Sequence, residues 1–529
     1  MDRRAFLRLS SMLAGSRLSG LEGIVHSRRA PAMIARVLRD ADAPAVVGGV
    51  QCGDVTSTRA VIWSATDRAA RMVVELSVDE TFRTSRRIQG PAALEKTNFT
   101  AKLDVGGLTP GEPVFYRVWF EDLSTGGLRS APATGQFRAA SRSARPFTIC
   151  WSGDVVGQGW GINEAFGGLR LYETMARHHP DLFIHSGDQI YADGPLQEQV
   201  ALPGGAIWKN IVTDAKRHVA QSLDDFRGNF AYNLLDAHAR QFNSQVPMIV
   251  QWDDHEVRNN WNPGTDLAGD ARYGERNIAL LASRARRAMF EYLPIRNAPA
   301  EPGRVYRAYD YGPLVDVIVL DQRSYRTANG WNREQAGGPP TRMLGANQLA
   351  WLKRRLKASR ATWKIVASDM PLGLLVGDGR RDGQPVFDGW ANGDGGPLGR
   401  ERELADLLAF LERERIRNHV WVTADVHYAA AHRYDPAAAV FKRFDPFWEF
   451  VAGPLNAGTF GPALADPTFG CTQVFNSVEK GGPQNLPPSD GFQFFGTLTV
   501  DPSTRRLAVG LWNLANERLW SIELDAEAA

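Results

Sequence analysis

Cysteine is scarce in this chain: Cys52, Cys150 and Cys471 are the three among 529 residues. A set this small and odd in number excludes a disulfide framework, even if one bridge remains open, and leaves the fold to be held by packing. An excess of one charge is also missing, since 61 basic side chains meet 59 acidic ones for a formal charge of +2. Nothing in that balance points to a nucleic-acid partner or an anionic membrane surface. No window reaches the ~18 unbroken apolar residues of a membrane-spanning helix. There is no internal repeat and no long low-complexity tract. His-Glu-x-x-His is absent, which removes a common metalloprotease signature, and no Gly-x-Ser-x-Gly elbow lies near the acidic motifs described below.

What is present describes a globular protein. At ~150 residues per domain the length allows one large core and a smaller companion. The first residues, Asp2-Arg3-Arg4-Ala5-Phe6-Leu7-Arg8, have the order of a twin-arginine export signal. Residues 1–40 are therefore expected to be a signal and leader that deliver a folded protein to the periplasm or outside the cell. From 46 to 138, short runs of strand composition such as Arg59–Trp63, Arg71–Leu76 and Val114–Phe120 alternate with turns, which predicts a small β-sandwich domain. Leu108-Thr-Pro-Gly111 followed by Phe115-Tyr116-Arg117-Val118 resembles the corner and strand of fibronectin type III-like modules, where a buried tyrosine hydroxyl bonds back to its own chain. A basic stretch, Ala139–Arg145, follows as a linker.

Beyond Pro146 the pattern becomes strand, loop, helix. Phe147–Trp151, Leu182–His185, Met248–Trp252, Val315–Leu320, Trp363–Ala367 and Val420–Thr423 are mostly continuous apolar runs, as expected of strands covered on both faces. Leu169–His178, Asn277–Tyr292, Ala346–Ala358 and Arg400–Arg415 read as helices between them, and a last pair of strands, Gly496–Val500 and Arg506–Trp512, ends a layered α/β domain.

Four of the apolar runs end in carboxylates: Ser152-Gly-Asp154, Ser186-Gly-Asp188-Gln-Ile-Tyr191, Asp253-Asp254-His255-Glu256 and Ala424-Asp425-Val-His427. Strand ends of an α/β sheet converge on one edge, where ligands bind. Carboxylates gathered there repel one another unless cations neutralise them, and oxygen ligands with imidazole suit hard or borderline metal ions. A two-metal site is the expectation, with ions ~3.5–4 Å apart activating water and holding phosphate oxygens.

Gly187–Tyr191, Trp252-Asp-Asp-His-Glu-Val-Arg-Asn-Asn-Trp261, Leu320-Asp-Gln-Arg323-Ser-Tyr-Arg326 and Asp425-Val-His427, in that order, resemble the PhoD-type alkaline phosphatases and phosphodiesterases of the calcineurin-like metallophosphoesterase superfamily. The resemblance spans about residues 46–520. It implies a four-layer α/β/β/α metallophosphoesterase domain over 146–520, preceded by the fibronectin type III-like β-sandwich. It also implies a dinuclear iron and calcium centre and secreted hydrolysis of phosphate esters by a metal-bound hydroxide. Residue by residue, it makes Asp188 the bridge between the metals, Tyr191 a phenolate on iron, and Asp425 and His427 ligands divided between the ions. Asp254 stands where relatives place an asparagine ligand. Sequence alone leaves Asp254, Asn259 and Asn260 competing for the second metal, with Asp254 and Asn260 the expected ligands. His255 is expected to contact phosphate or protonate the leaving group. Arg323 is read either as a bidentate phosphate ligand or as a salt bridge tying its loop down; Arg258 and Arg326 rank behind it.

One departure bears on the metal. Such enzymes often read Ala-Ser-Cys after the first strand, with the thiolate on iron, whereas this chain reads Trp151-Ser-Gly-Asp154. Asp154 becomes the expected ligand and Cys150 a buried apolar residue; manganese and zinc then stand beside iron and calcium. Three long loops, 194–217, 327–345 and 373–399, carry Trp208, Trp331, Phe387 and Trp390, and are expected to line a pocket for the organic group of a phosphate ester. Monoester and diester substrates remain open. The rival reading is a metal-stabilised binding protein that docks a partner through its β-sandwich.

Overall fold

The computed structural model describes residues 43–124 and 127–527; the twin-arginine segment lies outside the described residues. The apolar runs form strands Phe147–Ser152, Leu182–Ser186 and Met248–Gln251, parallel neighbours in a nine-stranded sheet, and Val315–Val319, Trp363–Ala367 and His419–Thr423, parallel neighbours in a seven-stranded one.

Period-two alternation sends successive side chains of each strand into different cores. Ile149, Trp151, Ile184 and Ile249 of the larger sheet meet Val317, Val319, Ile365 and Val422 of the smaller one in a shared core. Cys150, Phe183 and Val250 point the other way, onto helices that include Ala237–Gln245 and Ile278–Tyr292. On the far face of the smaller sheet, Ile318, Val366 and Trp421 pack against helices Gly345–Ala358 and Glu401–Arg413. The layers therefore run helix, sheet, sheet, helix. Each fully buried branched side chain contributes about 1.5–3 kcal/mol of transfer free energy.

The N-terminal strands are joined to this body. Val46–Gly53, Arg59–Thr66 and Thr100–Gly106 continue the nine-stranded sheet, and Gly53 pairs in parallel with Met248. Only glycine fits at that seam, because a Cβ on Gly53 would lie 2.7 Å from the Met248 carbonyl oxygen and 2.8 Å from that of Pro294. A four-stranded sheet, in the order Ser85–Ala93, Ala70–Ser77, Pro113–Asp122, Ala133–Arg138, covers these strands across a core that includes Val50, Ile62, Val74, Val118 and Phe120. The Tyr116 hydroxyl meets the Cys52 thiol within the sandwich and also reaches beyond it, donating to the Ser244 carbonyl 3.4 Å away in helix Ala237–Gln245. The reason is the shared sheet, which sets the sandwich directly against that helix. Among the described residues no helix is long and apolar enough to cross a membrane.

Candidate metal centre

The parallel strands of both sheets end on one side, and their first loop residues build a single acidic cluster. Asp154, Asp188, Asp425 and His427 all take left-handed backbone angles, with φ of 65°, 49°, 66° and 60°. Non-glycine residues avoid this region, so four together at strand ends mark a site that the surrounding structure holds under strain. Gly187 precedes Asp188 at φ 90° and lies so close to Asp253 that any side chain there would strike the Asp253 Cβ.

Glu256 holds these loops together. Its buried carboxylate accepts the backbone N–H groups of Gln189 at 2.6 Å, Asp253 at 2.7 Å and Asp188 at 3.2 Å. Burial nevertheless pushes its carboxyl up to about 7.

Three groups of ligand atoms, each within 4.8 Å of one another, overlap in the cluster: Asp154 with Asp188 and His427, Asp188 with Asp254 and His255, and Asp253 with Asp254 and Asp425. Asp188 and Asp254 are each shared by two groups. Both oxygens of Asp154 are buried without a hydrogen-bond partner, as is Oδ2 of Asp253. An unpaired buried carboxylate is costly, and several together need an external cation. The carboxyls report that cost. Burial first, then neighbouring negative charge, raises Asp154, Asp188 and Asp253 well above the ordinary carboxylate range, and Asp425 to about 8.

His427 is prepared as a ligand. Its Nδ1 donates to the Gly458 carbonyl, which leaves Nε2 unprotonated, 2.8 Å from the Tyr191 hydroxyl and 3.6 Å from Asp154 Oδ1. A backbone carbonyl on the far nitrogen is a usual way to fix the tautomer of a metal-bound histidine. Burial lowers its pKa to about 3, so the ring is neutral. The donor set of carboxylates, one neutral imidazole and one phenol fits hard or borderline ions.

His255 stands at the cavity wall with its ring 4.2 Å from that of Tyr191. Its Nδ1 donates to Asp193 at 2.6 Å, and its Nε2 lies 4.0 Å from Asp254 Oδ1. Asp193 escapes notice in the sequence because it stands alone, two residues after Tyr191; only the fold sets it behind the imidazole. Asn260 lines the same cavity, yet its amide nitrogen donates to Asp378 at 2.8 Å and its backbone N–H to Asp254. Asn259 also lines the cavity, with its N–H donating to Asp193 at 2.9 Å.

Arg323 does not reach the cavity. It is fully buried beneath the cluster, with Nε donating to Asp253 at 2.7 Å, Nη1 to Asp388 at 2.8 Å, and Nη2 lying 3.6 Å from Asp425. Of its two readings the geometry matches the salt bridge, because the fork that would grip phosphate is filled by carboxylates. Arg326 is likewise buried, against Asp388. The arginines that do line the cavity are Arg258 and Arg272; the fork of Arg272 is taken by Asp270, with Nε donating at 3.0 Å and Nη2 at 2.8 Å, whereas Arg258 Nε is buried without a partner.

The cavity has a volume of about 770 Å³. One wall is apolar, with Leu375, Val376, Tyr428 and Phe460; the other is polar. Of the long loops, only a short part of 373–399 and Gly194 contribute. The aromatic residues expected there are placed elsewhere. Trp208 packs on Trp160 and Phe166, Trp390 sits in the core beside the smaller sheet, Phe387 is buried away from the cavity, and Trp331 is 48% exposed. His185 and His432 are also outside the cluster, His432 held by Glu449 at 2.8 Å. Cys150 is a fully buried core residue.

Comparison with known proteins gives the chain a family. Residues 149–511 match the family model of the PhoD-like phosphatases, and residues 32–141 match the model of the PhoD-like phosphatase N-terminal domain. Alkaline phosphatase D of Bacillus subtilis (strain 168) is 27% identical over 486 residues, which cover 87% of this chain and 77% of that protein. A solved structure of PhoD superposes with a TM-score of 0.65 at 21% identity, over 90% of this chain and 88% of that one. Purple acid phosphatase PPD1 from yellow lupin (Lupinus luteus) shares the fold at a TM-score of 0.56 and 14% identity, over 91% and 74% of the two chains. With a family model matching well over half of its length, the chain belongs to the PhoD-like phosphatase family.

Proposed function

We propose that this protein is a metal-dependent phosphoesterase in which Asp154, Asp188, Tyr191 and His427 would hold one cation, and Asp253, Asp254 and Asp425 together with Asp188 would hold a second. The observation that carries the reading is the buried Asp154 carboxylate, unpaired and grouped with Asp188 and His427 at the floor of a cavity lined by arginines. Two cations bound there would supply charge neutralisation, a hold on phosphate oxygens and acidification of water. Beside the cluster, Arg258, whose Nε is buried without a partner, receives the charge of the phosphate ester, while Arg272 is held by Asp270 at 2.8 Å. His255, held through Nδ1 by Asp193, presents Nε2 and gives its proton to the leaving-group oxygen.

The layered body supports a four-layer α/β/β/α metallophosphoesterase domain preceded by a fibronectin type III-like sandwich, and Arg3-Arg4 supports twin-arginine export. Tyr191 supports iron as one metal, with calcium as the other; manganese and zinc are the alternatives.

The test is elemental analysis of the purified protein, together with hydrolysis of an aryl phosphomonoester and a bis-aryl phosphodiester before and after chelation. About two metals per chain and hydrolysis abolished by the chelator are expected. Metal without turnover of either ester would favour the binding protein instead.

Asp193 gives a narrower prediction. Asp193→Asn keeps the size but removes the charge that orients His255, so kcat on aryl esters should fall about 10–100-fold while metal content holds. A kcat within twofold of wild type would remove Asp193 from the machinery.

A further inference from the structure

A second cavity, of about 960 Å³, lies away from the metal centre where the N-terminal strands, the linker and the smaller sheet meet. Five arginines line it, Arg142, Arg304, Arg307, Arg355 and Arg360, against the carboxylates of Asp310 and Asp316. Strand Val315–Val319 begins at this cavity and runs away from it towards Arg323 under the metal cluster. Five residues of strand place the two sites at least ~16 Å apart.

Some of these guanidiniums are committed. Arg307 is fixed by Asp54 at 2.9 Å and by the carbonyls of Arg304, Val305 and Arg296. Arg304 pairs with Glu301 at 3.3 Å, and Arg355 pairs with Asp316 at 3.3 Å. Others are not. Arg142 and Arg360 are exposed and have no ion pair or hydrogen bond among the described residues, and the Nε of Arg355 is buried without a partner. Arg360 follows helix Gly345–Ala358, whose carbonyl end favours a cation, yet it donates to none of those carbonyls.

We propose that this cavity is a second, non-catalytic anion site that binds an oligophosphate, a chain of closely spaced phosphate groups. The guanidinium fork matches tetrahedral oxyanions. The concave shape suits a bound chain rather than a flat lipid surface. The volume falls in the range of organic ligands, far larger than one phosphate needs, so that uncommitted arginines on two separate segments engage successive groups of one ligand. Ser57 and the indole of Trp351 complete the wall. The site takes no part in hydrolysis; it holds a phosphate-rich polymer on the enzyme.

The test is calorimetric titration of the full-length, metal-loaded enzyme with inorganic tripolyphosphate, with metal content measured before and after so that chelation is recognised. Arg142→Ala/Arg360→Ala should weaken binding at least tenfold and leave kcat and KM on an aryl phosphate ester unchanged. Both side chains are exposed and unpaired, so the thermal midpoint should not move. Arg142→Lys/Arg360→Lys should bind with intermediate affinity, because it keeps the charge without the fork. Equal affinity in the wild type and the alanine variant would overturn the site. Full recovery with lysine would reduce it to diffuse positive charge, and loss of metal that accounts for all the heat would assign the signal to chelation.

Discussion

Asp188→Asn is expected to lower kcat/KM on aryl phosphate esters by about 10³-fold or more, close to 4 kcal/mol of transition-state stabilisation, and to reduce bound metal below two per chain. Asp188 belongs to two of the three ligand groups, so an amide at this position weakens both cations together. The same substitution should have the opposite effect on the chelated protein. Burial first, and then the charges of Asp254, Glu256 and Asp154, raise the Asp188 carboxyl well above its ordinary value. A carboxyl raised in the folded state favours folding at low pH, where it is protonated, and that contribution is lost as pH rises through the folded-state value. Chelated wild type should therefore lose stability on going from pH 5 to pH 9, and chelated Asp188→Asn should lose less. Full activity with two metals in the variant would rule out the assignment of Asp188, and parallel pH profiles of the two chelated proteins would rule out the crowding of charge.

The second large effect falls on Arg323, as stability. Its guanidinium touches Asp253, Asp369, Asp388 and Asp425, and no part of it is exposed. Asp388 shows what the arrangement does: burial opposes its charge, but Arg323, Arg326 and Arg400 hold its carboxyl far below the usual range. Removing one partner of a buried ion network leaves uncompensated charge, so Arg323→Met should lower the unfolding free energy by about 3–5 kcal/mol. Arg323→Lys should fall between, since one ammonium cannot serve carboxylates on several sides. Because Asp388 follows strand Gln384–Phe387, the partner of strand Gly377–Arg381 beside the cavity, a weaker KM should accompany the lost stability. Denaturant titration decides the matter; a loss under 1 kcal/mol would mean that the carboxylates are neutralised by other means.

The elements that were legible are those whose local signal is strong. Val315–Leu320 and Trp363–Ala367 are unambiguous because continuous β-branched and aromatic runs bounded by turn residues have few alternatives. Helices Leu223–Asn233 and Ala237–Gln245 were not, because their apolar faces are thin: the first buries Phe226, Phe230 and Tyr232 among polar side chains, and both depend on side-chain caps, Ser222 and Asp236. Strand Phe447–Val451 was hidden by Glu449, a buried carboxylate that looks like a surface residue until His432 and Tyr434 are seen to hold it. The loop aromatics misled for a related reason. Composition places a tryptophan in a loop, but only packing says whether the loop turns it towards a cavity or, as with Trp208 and Trp390, into a core.

The sequence by itself determined the chemistry: carboxylates, histidines and a tyrosine placed at the ends of apolar runs, a pattern that survives translation into strands because strand ends share an edge. Only the tertiary structure decided which of those groups meet. Asp193 stands behind His255, Asp253 joins the ligand groups, Arg323 is locked beneath them, and Arg258 and Arg272 face the cavity in its place. The physical reason is distance. A side chain's charge and donor atoms are local properties of the chain, whereas contact between residues 62 or 70 positions apart, as for His255 with Asp193 and Arg323 with Asp253, is set by how the two sheets pack.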